Sequence, residues 1–184
     1  MNRRYHSPLF ISLALLLAAV TKAFYAQCTV NDLLPLLTPT TAVVESFLGI
    51  QSVYTESGFY LAPLHIVIDK SCSGVNFLVI LFCTLATTAP YRYLSIGRGG
   101  LLFVGLLALS FLLTVFINAS RILGAIMLLR FKMDFPLLGS TWAHEAEGVL
   151  IYLSALILTY TAIRKLYIKI ENHAQYPTSR VAVH

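Results

Sequence analysis

Apolar residues in this chain fall in long unbroken runs rather than in alternating strips. "FISLALLLAAV", "FLVILFCTLA", "LLFVGLLALSFLLTVFI" and "VLIYLSALILTYTAI" contain no charged residue, and the charges gather between them. A helix needs ~20 mostly apolar residues to cross ~30 Å of hydrocarbon. The runs therefore predict four membrane helices, over about residues 7–26, 72–90, 100–118 and 145–163. A fifth apolar piece, "RILGAIMLLRF" at 121–131, is too short to cross alone; it extends the third helix, lies on the surface or re-enters the bilayer. The expected fold is an all-α polytopic membrane helix bundle. It forms one domain over residues 1–170, followed by a polar cytoplasmic tail at 171–184.

The segment between the first two spans has a different rhythm. "SVYTESGFYLAPLHIVID" alternates, is rich in β-branched and aromatic residues and carries Ser-Gly at its centre, which predicts a small outer hairpin. The preceding "NDLLPLLTPTTAVVESFLGI" has the pattern of an amphipathic helix lying in the interface. The N-terminal "MNRRYHSPLFISLALLLAAVTKAFYAQ" resembles a signal peptide only in outline. Its apolar stretch is too long and an A-x-A site is missing, so it is expected to stay as the first helix.

Composition sharpens this picture. Apolar residues make up 58% of the chain and charged residues 11%, and there is no series of short alternating strands of the kind a membrane barrel needs. The net charge is +5, but the basic residues sit beside apolar runs and form no continuous face. That distribution suits topology and anionic lipid headgroups, not nucleic acid. Arg3 and Arg4, then Arg92 and Arg98, then Arg164, Lys165 and Lys169 all fall on one side of a four-span chain, which places both termini in the cytoplasm. The 27–71 loop, with Asp32, Glu45, Glu56 and Asp69 against Lys70, faces out. Arg121, Arg130 and Lys132 break the rule by falling on the outer side, which calls for a structural or catalytic role for at least one of them.

Three cysteines give no disulfide framework, and no Cys/His spacing suggests zinc. No phosphate loop, H-E-x-x-H or G-x-S-x-G is present, so no cofactor or metal is expected. One constellation remains. Cys72 lies at the outer start of helix two, Arg121 just past the outer end of helix three, and His144 at the outer start of helix four. A helix N-terminus carries free N–H groups and a partial positive charge, a field that stabilises a thiolate at Cys72. The same amides, opened by Ser73 and Gly74, could bind an oxyanion. At His144 the dipole favours the neutral imidazole of a general base, although a neighbouring thiolate would couple to it. Arg121 offers a rigid fork of donors. Bland roles compete with these: Cys28 and Cys83 as small fillers, Arg130 and Lys132 snorkelling, Trp142 as an interface anchor and Asn118 as a cap or bridge between helices. Glu145 and Glu147 are helix N-terminal acids, either of which could also orient His144.

"SCSGVNFL" with Cys72, "NASRI" with Asn118 and Arg121, and "HEAEGVLIY" with His144 and Gly148 resemble, in order and spacing, the three signature blocks of the exosortase/archaeosortase family. The resemblance covers roughly residues 69–160. It implies a membrane-embedded cysteine protease or transpeptidase. The substrates it implies are secreted proteins carrying a C-terminal sorting motif, one membrane helix and a basic cluster. In that reading Cys72 is the nucleophile, His144 the acid/base and Arg121 the transition-state stabiliser; Ser73, Gly74, Asn118 and Glu147 support them. The brief N-terminal part and the small number of spans fit the short exosortases, such as the K type. Two readings from other classes stand beside it: a non-catalytic membrane protein, such as a transporter subunit or assembly factor, and a His144-dependent membrane acyltransferase.

Overall fold

The structure, a computed structural model, describes residues 6–91, 94–130 and 140–175, with side chains over 8–91, 94–128 and 146–169. Five helices carry the chain: α1 (His6–Gln27), α2 (Leu34–Leu48), α3 (Val75–Thr88), α4 (Ile96–Arg130) and α5 (Ser140–Gln175). Among the described residues, four segments are long and apolar enough to cross a membrane: Pro8–Gln27, Lys70–Thr88, Ile96–Leu128 and Ala146–Lys169. The expected all-α membrane bundle is the observed architecture.

α1, α3, α4 and α5 form the bundle, and their outward faces carry exposed Leu16, Phe24, Leu101, Phe116, Leu150 and Leu158. Apolar side chains on both the inner and the outer face are what a lipid-immersed helix requires. Polar groups inside the bundle bond to their own helix: Ser110 donates to the Leu106 carbonyl and Thr114 to the Ser110 carbonyl, each at 2.7 Å. At one end of the bundle Phe10 stacks on Tyr91 with ring centroids 4.6 Å apart, over a cluster that includes Leu81, Leu85 and Phe103. Gly99 permits this. A side chain there would meet the Phe10 ring at 2.7 Å.

The other end is built by the segment between α1 and α3. Three strands, β1 (Val53–Thr55), β2 (Gly58–Leu61) and β3 (Ile66–Ile68), form an antiparallel sheet in sequence order, with Tyr54 opposite Phe59 and Phe59 opposite Ile68. The predicted hairpin is therefore present, extended by a third strand. α2 carries Leu36, Leu37, Thr40, Thr41 and Val44 on one buried stripe at helical spacing. That stripe does not merely face an interface. It packs on α4 and shares a core with Val115, Ala119, Ile122 and Ile126.

This packing resolves the fate of residues 121–131. They continue the third membrane helix up to Arg130, giving α4 a length of 35 residues. The buried partners offered by α2 explain why the helix runs on. Arg121 accordingly lies within α4 and not past its end. At the far terminus α5 runs to Gln175, beyond the expected tail boundary at 170, and residues 176–184 lie outside the described residues. Arg3, Arg4, Arg92 and Lys132 also lie outside them.

β2 begins at Gly58 with φ 136°, a conformation side chains rarely adopt, and an added Cβ would run into the Ile68 carbonyl. Gly58→Ala should therefore lower stability by roughly 1–3 kcal/mol. Thermal unfolding of the detergent-solubilised protein checks this.

Candidate active site

Cys72 reaches its place through the sheet. β3 ends at Ile68 and the chain enters a 3-10 turn, Lys70–Ser73. Asp69 caps that turn, its side chain accepting from the Ser71 amide at 2.9 Å and the Ser71 hydroxyl at 2.6 Å, while the Cys72 amide donates to the Asp69 carbonyl at 3.0 Å. Gly74, with φ 73°, ends the turn and caps α3, which starts at Val75.

Cys72 is thus not in the first turn of its membrane helix, as expected, but in a separate turn ahead of it. The physical reason is the left-handed residue between them: a 3-10 turn cannot run into an α-helix through a φ of that sign without a break. The free amides of the helix start belong to Val75, Asn76 and Phe77.

The turn is pinned from two sides. From α1, Tyr25 donates its hydroxyl to the Lys70 carbonyl at 3.2 Å. The Lys70 ammonium donates to the Cys28 carbonyl at 2.7 Å and sits 5.0 Å from the Tyr25 ring centroid. Lys22 donates to Asn76 Oδ1 at 2.6 Å. From α4, the fully buried Asn118 donates through Nδ2 to the Cys72 carbonyl and accepts from the Tyr152 hydroxyl at 2.6 Å. Gly74 leaves room for that amide, since a Cβ there would stand 3.0 Å from Asn118 Cγ and 3.1 Å from Thr114 Cγ2.

Arg121 lies one turn along α4 from Asn118. Its guanidinium carbon is 5.4 Å from the centroid of the Tyr152 ring. It packs against Gly148 of α5, where a Cβ would come within 2.6 Å of Nε. A reciprocal seat lies alongside: the Glu147 carboxylate of α5 rests on Gly124 of α4. Glu147 is therefore turned toward α4, on the side where Arg121 lies. His144 lies in the opening turns of α5, one turn before Gly148; its side chain is outside the described residues, as are those of Trp142 and Glu145.

A cavity of about 340 Å³ opens beside these groups. Ser71 and Ser73, on either side of Cys72, line it together with Val75, Asn76, Phe77, Arg121, Gly148 and Tyr152. Ser73 is buried, and its hydroxyl has no hydrogen-bond partner among the described residues. The Cys72 thiol is half-buried, with the Ser71 hydroxyl 3.8 Å from Sγ. A guanidinium, an uncommitted hydroxyl and the amides of a helix start around one cavity, with a thiol on the turn that borders it, could hold and polarise a carbonyl group. Cys28 is buried in the core that includes Leu61 and Ile68 of the sheet, and Cys83 lies half-buried within α3. No group of three His, Cys, Asp or Glu side chains among the described residues could hold a metal.

The sequence reading missed Tyr152, and with it the α1 contacts of Lys22 and Tyr25. A signal for Tyr152 existed: it follows His144 and Gly148 at successive four-residue steps, hence on the same face of α5.

A bundle of four apolar helices with a cavity beside the start of α3 defines a polytopic membrane protein. The family model described as transmembrane exosortase (Exosortase_EpsH) matches residues 2–161, and the chain belongs to that family. The comparisons with curated proteins and with solved structures returned no match.

Gly74 combines positive φ with close approach to Asn118 and Thr114. Gly74→Ala should cost about 1–3 kcal/mol and disturb the Cys72 turn. Differential scanning of the solubilised protein, together with the accessibility of Cys72 to a small alkylating agent, reads both effects.

Proposed function

We propose that the protein is a membrane-embedded cysteine protease or transpeptidase that cleaves the C-terminal sorting tail of secreted proteins. One observation carries this reading: the turn that holds Cys72 is joined through Asn118 and Tyr152 to Arg121, and its Ser71 and Ser73, on either side of the thiol, line one cavity with that guanidinium. Family membership supports it.

The site opens on the outer side of the membrane and both termini are cytoplasmic. Among the described residues, three basic side chains at the sheet end, which strain the positive-inside pattern, have a local engagement; Lys132 and the side chain of Arg130 lie outside those residues. Lys22 bonds Asn76, Lys70 bonds the Cys28 carbonyl, and Arg121 lies over Tyr152. A cation engaged with the fold is a weaker guide to orientation, whereas Arg164, Lys165 and Lys169 at the other end, exposed among the described residues, remain one.

The substrate's membrane helix lies beside the bundle, its basic end in the cytoplasm and its motif in the cavity. His144 takes the Cys72 proton, and the thiolate so formed bonds to the scissile carbonyl carbon as the carbonyl electron pair moves to oxygen. The resulting oxyanion is held by Arg121, by the amides at the start of α3 and by the Ser73 hydroxyl. The C–N bond breaks, and the leaving amine takes a proton from His144 to leave a thioester on Cys72. Water, or an amine of a lipid or envelope glycan, then attacks the thioester and gives its proton to His144. The C–S bond breaks and the thiolate returns. No nucleic acid and no cofactor takes part. Asn118 and Gly74 hold the nucleophile's turn, and Glu147 steadies Arg121.

Trapping a covalent adduct between Cys72 and a tail peptide with its membrane helix tests the reading. Cys72→Ala should abolish both adduct and cleavage. Cleavage that survives Cys72→Ala but not His144→Ala would identify an acyltransferase-like or other His-dependent chemistry instead. Arg121→Lys keeps the charge and loses the fork; tail cleavage should fall roughly a hundredfold with the protein still folded. Gly148→Ala introduces a methyl group 2.6 Å from Arg121 Nε and should move the guanidinium. It should reduce cleavage about tenfold or more with little change in apparent affinity for the tail, as expected when an interaction made in the transition state is lost.

A further inference from the structure

We propose that Tyr152 is a positioning residue that couples the Cys72 turn to Arg121. For its kinetic consequence, though not for its geometry, this rests on the function proposed above. The hydroxyl of Tyr152 lies within the apolar span Ala146–Lys169, where a polar group needs a protein partner. It finds one in Asn118 Oδ1 at 2.6 Å.

That bond orders the amide. The Cys72 carbonyl can only accept, so the Asn118 face turned toward it is Nδ2, and Oδ1 is left for a donor. Tyr152 supplies that donor from a different helix. Without it, the buried carboxamide has an empty acceptor and freedom to rotate away from the Cys72 turn.

The ring does the second half of the task. On one side it stacks on Phe77 of α3, centroids 4.7 Å apart and planes at 16°. The guanidinium of Arg121 lies over it at 5.4 Å, within the range where a cation is attracted to an aromatic face. A single side chain of α5 therefore touches α3, seats the cation of α4 and, through Asn118, reaches the backbone of the nucleophile. The hydroxyl bonds Asn118 and also meets the Arg121 guanidinium, which the ring face seats as well. Tyr152→Phe removes the contacts of the hydroxyl and keeps those of the ring.

The test uses the full chain in nanodiscs, with Cys28 and Cys83 replaced by Ala so that iodoacetamide reports on Cys72 alone. Tyr152→Phe removes the hydroxyl and keeps the ring. Alkylation of Cys72 should rise several-fold as its turn loosens, with the thermal midpoint nearly unchanged. Asn118→Ala should raise it by a similar factor. The double variant should be no faster than Asn118→Ala alone, because the hydroxyl works through that amide. Multiplicative effects in the double variant, or a parental alkylation rate in Tyr152→Phe, would overturn the coupling. In tail cleavage, Tyr152→Phe should lower the turnover rate and leave apparent affinity for the tail alone. An altered alkylation rate in a protein that processes no tail would uphold the positioning role while removing the protease reading.

Discussion

Everything at the sheet end of this bundle turns on one buried carboxamide. Asn118 has no exposed surface, and it sits in a helix whose neighbours are almost all apolar. An unsatisfied amide in such a place costs several kcal/mol on the scale of transfer to a medium that cannot hydrogen-bond. The chain meets that demand from two other elements, the Cys72 carbonyl on one side and the Tyr152 hydroxyl on the other. Satisfying Asn118 therefore brings three membrane-spanning segments to one level. The approach is possible because position 74 has no side chain.

The same economy of space governs the contact between α4 and α5. Each helix offers a glycine to the other's charged group, Gly148 to Arg121 and Gly124 to Glu147. Small residues in membrane helices usually serve close backbone packing. Here they make room for a cation and an anion that would be expensive to leave in hydrocarbon. Arg121 gains a fixed direction from this seating and from the Tyr152 face, and a fixed direction is what distinguishes an oxyanion donor from a snorkelling arginine.

Family membership and the geometry bear on different questions. Membership says what kind of membrane protein this is. The geometry says how a half-buried thiol can be held at a membrane boundary. A capped 3-10 turn, tied to α1 by Tyr25 and Lys70 and to α4 by Asn118, holds it there and not at the first turn of a helix. The amides at the start of α3 and the Cys72 thiol then belong to adjacent elements, separated by the bend at Gly74.

Much of this was legible in the residues. The four spans and the small sheet follow from hydrophobic run length and β-branched alternation, because lipid and strand pairing impose simple periods on sequence. Those signals are local, and they cannot say which side chain on a uniformly apolar helix faces a neighbour. The extension of α4 to Arg130 depended on α2 covering it, and the displacement of Cys72 from its helix depended on the sign of φ at Gly74. The partnership of Asn118 with Tyr152 and the reciprocal glycine seats join residues dozens of positions apart. The sequence by itself determined a membrane bundle with polar residues at its helix ends. Which of them share a cavity was decided only by tertiary packing, since a buried polar group takes whichever partner the fold brings within reach.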